Sequence, residues 1–323
     1  MYSDELYTSA KTLRAAATGV DAFSHTHAIN TGKIAAGVND KLDPKGVNRE
    51  SRDSDVHPTS NAIIVGFDVT GSMSSIPRTL QQKLCKLMGV LNAKAAIEHP
   101  QILFAAFGDE TCDRVPLQVG QFESGVEMDE DLDKMYLEGG GGGQVFESPE
   151  LLLYFAARHT SIDCYEKRGK RGYLFFITDE KGRDVSRSAV QNVFGDGLER
   201  DISLESIIKE CQDKYEIFMV LPTNAGHGSE PQISQFWKKL LGQNVLKLDD
   251  ENLVCELIAT TIGICEETVD DVTDLATDLK LDKAGIRSLS TALADVKTGR
   301  GTGLKAKMDG ELAVAGKDNV KTL

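Results

Sequence analysis

Between residues 61 and 265 the chain alternates short, nearly unbroken apolar runs with longer amphipathic stretches. Ala62-Ile63-Ile64-Val65-Gly66-Phe67, Ile102-Leu103-Phe104-Ala105-Ala106-Phe107, Tyr173-Leu174-Phe175-Phe176-Ile177, Ile217-Phe218-Met219-Val220-Leu221 and Val245-Leu246-Lys247-Leu248 have the length and composition of buried strands. Pro77 suits a first helical turn, and Leu80, Leu84, Leu87, Met88 and Leu91 then recur at helical spacing as one buried face. Residues 151–157, 204–211, 233–241 and 253–264 predict further helices. Residues 115–122 alternate apolar and polar side chains, as a half-exposed edge strand does. Buried strands alternating with helices predict an α/β fold: a doubly wound, mostly parallel sheet flanked by helices.

The flanks lack this rhythm. Residues 1–60 predict an irregular N-terminal arm with a short helix over 5–17. Residues 266–323 predict a C-terminal extension, with loose helical spacing over 266–282, a short helix over 286–294 and then a tail poor in large apolar groups. That tail carries six basic side chains (Lys297, Arg300, Lys305, Lys307, Lys317, Lys321) against three acidic ones (Asp309, Glu311, Asp318). It reads as a solvated tail or as a segment that seeks an acidic surface.

In parallel sheets with helices on both faces, ligands bind at the carboxyl ends of the strands. The first strand runs into Asp68-Val69-Thr70-Gly71-Ser72, the second into Gly108-Asp109-Glu110 and the third into Thr178-Asp179-Glu180. The fourth and fifth run into Pro222-Thr223-Asn224 and Asp249-Asp250. Acidic groups gathered on one rim repel one another and are better tolerated with a cation between them. Asp-x-Thr-x-Ser offers only small oxygen ligands, the chemistry of Mg2+ and other hard cations.

Charge and composition narrow the partners. A net charge of −14 over 323 residues argues against duplex nucleic acid or an anionic membrane, both of which call for basic patches. No apolar segment reaches the ~18 residues of a spanning helix. The acidic start, Met1-Tyr2-Ser3-Asp4-Glu5, has no hydrophobic region behind it, so no secretion signal is expected. Cys85, Cys112, Cys164, Cys211, Cys255 and Cys265 are scattered and form no Cys-x-x-Cys pair, which suits reduced thiols in a cytoplasmic protein.

Asp68-Val69-Thr70-Gly71-Ser72 after one buried strand, followed in order by Ile177-Thr178-Asp179 ending a later one, resembles the von Willebrand factor A domain with its metal-ion-dependent adhesion site. The resemblance covers residues 60–265 and is strongest to stand-alone intracellular bacterial or phage proteins of this kind. It implies Mg2+, with Mn2+ or Ca2+ as alternatives, held by three loops. Thr70 and Ser72 would ligate through their hydroxyls, Asp68 directly or through water, and Asp179 largely through water. An open vertex would receive the Asp or Glu of a partner protein.

The family's middle loop supplies a threonine, and here this chain departs. Between Glu138 and Glu150 stand Gly139 to Gly143 and then Gln144-Val145-Phe146-Glu147-Ser148-Pro149, without a threonine. Gln144, Glu147 or Ser148 is left to take its place. Glu147 as a direct ligand would tighten metal binding and weaken the pull on a partner's acid. The glycine run is not a nucleotide-binding loop, since no Gly-Lys-Ser/Thr follows.

Other chemistry is sparse. His25 and His27 lack further metal-ligand neighbours, His227 lies on a rim loop, and Cys112 reads as a buried or half-buried thiol without a base. No Ser-His-Asp motif and no Gly-x-Ser-x-Gly elbow is present. The resemblance implies a metal-dependent protein-interaction module, an adaptor or assembly factor, and no enzyme is expected. Intracellular relatives of this kind include some that act beside AAA+ ATPases. A metal-assisted hydrolase using the acidic rim, or an assembly component with a vestigial site, are the alternatives.

Overall fold

Apolar side chains on both faces of a strand require cover on both faces, and the fold supplies it. The computed structural model describes residues 4–20, 23–84, 86–93, 97–139, 145–269, 272 and 281–296. Its strands are β1 (Arg49–Ser51), β2 (Asn61–Asp68), β3 (Pro100–Phe107), β4 (Leu117–Val119), β5 (Thr160–Ile162), β6 (Gly172–Ile177), β7 (Tyr215–Pro222) and β8 (Val245–Leu248). Its α-helices are α1 (Asp4–Thr18), α2 (Ser24–Asn30), α3 (Ile76–Leu84), α4 (Leu87–Ala93), α5 (Glu127–Lys134) and α6 (Pro149–Arg158). Then follow α7 (Asp163–Glu166), α8 (Arg187–Val193), α9 (Leu204–Lys214), α10 (Pro231–Leu241), α11 (Val254–Cys265) and α12 (Lys283–Leu293).

Six strands form one sheet in the order β4-β3-β2-β6-β7-β8. All its pairs are parallel except the antiparallel edge pair β3–β4. Side chains alternate across a strand. Ile63, Val65 and Phe67 therefore enter one apolar layer with α3, α4, α5, α11 and α12, whereas Ala62 and Ile64 enter the other with α6, α8, α9 and α10. Helix α11 is largely apolar and almost wholly buried, with Glu256 as its charged side chain, and is walled by α3, α4 and α12. The five parallel strands end at a common level. Asp68 lies opposite Phe107, Phe67 opposite Ile177, Ile177 opposite Val220 and Pro222 opposite Leu248. Their outgoing loops share one rim.

Two expectations need adjustment. The stripe from Leu80 to Leu91 is split into α3 and α4 by a turn at Lys83–Lys86, whose Lys86 N–H donates to the Lys83 carbonyl at 2.8 Å. The N-terminal segment is also far more ordered than its composition suggests. Phe23 and Leu42 are fully buried, and Thr26 Oγ1 donates to the Met135 carbonyl at 3.0 Å. Strand β1 pairs in parallel with β5, Arg52 bridges Asp163 and Glu166, and Arg168 holds Asp53. The arm also closes the β4 edge: Val119 N–H donates to the Leu42 carbonyl at 2.8 Å, and Arg49 donates to the Val119 carbonyl. At the other end, Leu289 and Leu293 of α12 complete the core. The tail from 297 lies outside the described residues. Among the described residues no helix is long and apolar enough to cross a membrane.

Gly66 marks the closest approach of helix to sheet. A Cβ there would lie 2.2 Å from Leu152 Cδ2 of α6, well inside van der Waals contact. Gly66→Ala is expected to destabilise the fold by roughly 1–3 kcal/mol through overpacking. The double variant Gly66→Ala/Leu152→Ala should recover part of that loss relative to Leu152→Ala alone. Denaturant unfolding of the four proteins measures the coupling, and strict additivity would refute the contact.

Candidate metal centre

The site begins with a local motif. Asp68 ends β2, and its Oδ1 accepts hydrogen bonds from Thr70 N–H at 2.8 Å and Thr70 Oγ1 at 2.6 Å, folding the chain back on itself. A short helical turn, Gly71–Met73, follows, and it sets Ser72 Oγ 3.4 Å from Thr70 Oγ1. From the end of β6, Thr178 Oγ1 donates to Asp68 Oδ2 at 2.8 Å. Asp179 accepts Ser72 Oγ at 2.8 Å on Oδ1 and the His227 N–H at 2.7 Å on Oδ2. Gly226 N–H donates to the Ser72 carbonyl at 3.0 Å, so the loop after β7 buttresses both. Asp68, Thr70, Ser72 and Asp179, singled out in the sequence, thus form one hydrogen-bonded chain on the rim.

The middle loop reaches the same place. Phe146 pairs with Lys181 as an isolated bridge, and Glu147 N–H donates to the Lys181 carbonyl at 2.9 Å. Ser148 N–H donates to the Gly108 carbonyl, and Ser148 Oγ accepts Glu110 N–H at 2.9 Å. Glu147 is 2% exposed, and its Oε2 has no hydrogen-bond partner. Ser148 is committed to the backbone of the β3 loop, and Glu147 is the middle-loop acid, with Asp68 as the charge that acts on it most strongly. Gln144 lies outside the described residues.

The second strand repeats the motif of the first. Asp109 Oδ1 accepts Thr111 N–H at 2.8 Å and Thr111 Oγ1 at 2.6 Å, the same geometry as Asp68 and Thr70. The two differ in compensation. Arg183 holds Asp109 with a bidentate pair at 2.9 and 3.0 Å. Asp68 has no basic side chain among its described partners, although it is fully buried. The repeat Asp-x-Thr after two neighbouring strands was visible in the sequence and signals this pairing. Arg183, far along the chain, carried no such signal. Thr178 and the His227 backbone amide were likewise found only through the fold.

Burial governs the charges. It strips water from Asp68 and, with Asp179 nearby, pushes the Asp68 carboxyl up to about 7. Burial, then Asp68 and Glu180, push Glu147 up to about 10. Burial and Asp179 lift Glu180 to about 7, partly offset by His227. The His227 imidazole is raised by its hydrogen bond to Glu230 and then by Glu180, 3.8 Å away.

These residues fit a hard cation. Every donor is oxygen, Asp68 lacks a positive partner, and Glu147 Oε2 is buried and unpaired. With their protons given to carboxylates, Thr70 and Ser72 keep lone pairs free. Neighbouring ligands on an octahedral ion with ~2.1 Å bonds lie about 3.0 Å apart, so the hydroxyl pair needs only a small adjustment. Among the described residues no three His, Cys, Asp or Glu side chains are placed to hold a metal by themselves. The rim offers a mixed set, two hydroxyls interleaved with carboxylates.

The remaining candidates stand elsewhere. His25 spends its ring nitrogens on the Gly37 carbonyl and Asn39, not on a ligand cluster with His27. Cys112 is exposed and not buried or half-buried as expected, because it sits on the turn after Asp109; partial desolvation of the sulfur, then Asp113 and Asp109, hold its thiol up at about 12.

No family model matches the chain, and no curated protein matches it. Among solved structures it is similar to the pilus adhesin SpaC from Lactobacillus rhamnosus GG in its open conformation, with TM-score 0.44, 10% identity, 68% of this chain and 31% of that one covered. It is also similar to proximal thread matrix protein 1 from the mussel byssus, with TM-score 0.42, 10% identity, 62% of this chain and 48% of that one covered. The chain spans less than half of either protein, and likeness at this level assigns nothing.

The raised Asp68 and Glu180 carboxyls set a pH dependence. Between about pH 4, where such groups titrate when unfolded, and about 7, the folded protein keeps protons that the unfolded chain has released. Their contribution to stability is therefore full below about pH 4 and is lost as pH rises through 7. In chelator, the stability of the wild type should fall by a few kcal/mol across this window. Asp68→Asn should flatten the fall, and equal slopes in the two proteins would contradict the assignment.

Proposed function

We propose that this chain is a metal-dependent protein-interaction module of the von Willebrand factor A kind, a doubly wound domain that holds Mg2+, or Mn2+ or Ca2+, on its rim. It works as an adaptor or assembly factor and captures a partner protein through an acidic side chain. One observation carries the reading: the same Asp-x-Thr turn occurs twice, closed by Arg183 at Asp109 and, among the described residues, left without a positive group at Asp68. A buried carboxylate is stable only when paired or when it coordinates a cation.

Thr70 and Ser72 would offer their hydroxyl oxygens, with Asp68 and Asp179 accepting the hydroxyl protons and fixing both side chains. Thr178 and the His227 amide hold those two acids in turn. Glu147 completes the oxygen set from the middle loop. Bound there, the ion would supply a Lewis-acidic position for a partner's carboxylate oxygen. The arrangement favours binding over turnover, since Asp68 and Asp179, the acids that accept from the two hydroxyls, are occupied in holding them.

Calorimetry should find one Mg2+ per wild-type chain. Asp68→Asn and Ser72→Ala should each weaken it by roughly tenfold or more, the scale on which groups that orient metal ligands act. Affinity capture with the full chain should retain a partner in Mg2+ and release it in EDTA. Unchanged Mg2+ affinity in both variants would end the metal reading, and chelator-insensitive capture would end the adhesion reading.

A further inference from the structure

The acids of the rim are not held alike. Asp68 accepts three hydrogen bonds, from Thr70 N–H, Thr70 Oγ1 and Thr178 Oγ1. Asp179 accepts two, from Ser72 Oγ and His227 N–H. Glu147 is as deeply buried as they are, yet its Oε2 is unpaired. Its backbone, by contrast, is pinned: Glu147 N–H is bonded to the Lys181 carbonyl and Ser148 N–H to the Gly108 carbonyl. A fixed backbone thus carries a side chain whose strongest charged neighbour is Asp68, and its Oε2 is left untied. A buried, unsatisfied carboxylate oxygen needs a partner that the described protein atoms do not supply. A cation supported by the neighbouring hydroxyls would be such a partner.

We propose that Glu147 is an internal stand-in for the partner's acid: it occupies the bound cation in the resting protein, and a partner's carboxylate engages only by displacing it. This rests on the metal reading above and specifies its regulation. Charge explains the consequence. Asp68, Asp179 and Glu147 together outweigh a divalent ion, so an incoming carboxylate meets a net negative site while Glu147 is seated. With Glu147 turned away, one negative charge leaves the site and the repulsion falls, although Glu180 beside Asp179 stays. Affinity for the metal and affinity for an acid are therefore set against each other at this one side chain. Glu180 Oε2 is unpaired as well, but Glu180 follows Asp179 directly on the β6 loop; Asp68 and Asp179 are tied by their own donors, so Glu147 is the middle-loop acid that can move without dismantling the hydroxyl pair.

Mn2+ and acetate serve as probes. The full chain and its Glu147→Gln and Glu147→Thr variants are titrated with Mn2+ by calorimetry, and the water-proton relaxivity of bound Mn2+ is followed as acetate is added. Both variants are expected to bind Mn2+ about tenfold or more weakly, to show higher relaxivity, and to lose that gain to acetate. The wild type should show low relaxivity and little response to acetate. Wild-type relaxivity that already responds to acetate as strongly as the variants' would overturn the stand-in while leaving the metal site intact. Unchanged Mn2+ affinity in both folded variants would do the same. Failure of the wild type to bind Mn2+ at all would instead refute the metal reading on which the proposal rests.

Discussion

A carboxylate at the end of a central strand, cut off from water, must be compensated, and much of the rim is arranged around that need. Asp109 meets it with a guanidinium and Asp68 with three neutral donors. Neutral donors lower the penalty of a buried charge without cancelling it. The loops around Asp68 are consequently fastened to one another and not merely placed side by side. Ser72 is bonded through its side chain to the β6 loop and through its carbonyl to the β7 loop. Glu147 and Lys181 join the middle loop to the β6 loop.

A further layer keeps this frame stiff. Arg183, whose side chain neutralises Asp109, also donates its backbone N–H to Glu150 Oε2 at 3.1 Å. Trp237 of α10 donates its indole N–H to the Glu180 carbonyl at 2.8 Å. The segment 179–183 is held from the β3 loop, α6 and α10 at once. The rim is thus hydrogen-bonded directly to helices on the second face of the sheet.

The sheet was legible because its strands are covered on both faces, which turns each into a continuous apolar run; Tyr173-Leu174-Phe175-Phe176-Ile177 admits no other reading. The four residues of the hydroxyl–carboxylate chain were legible because each follows such a run directly. What escaped depended on distant partners. The order of residues 23–60 comes from ion pairs with residues more than a hundred positions away, as between Arg52 and Asp163, and a polar composition conceals them. The break between α3 and α4 interrupts an otherwise regular stripe without a glycine or proline to announce it. Arg183 looked like any loop arginine until the fold set it against Asp109.

The cover over β4 has a consequence for how much of the chain the domain needs. A strand edge with unpaired amides is a template for another strand. Here Leu42 and Arg49 occupy the outer groups of Val119. A protein shortened to begin at residue 60, where the apolar rhythm starts, would lose both of these cover groups and bare that edge. The polar arm is thus placed where it guards against strand-to-strand association, as well as where it adds Phe23 and Leu42 to the core.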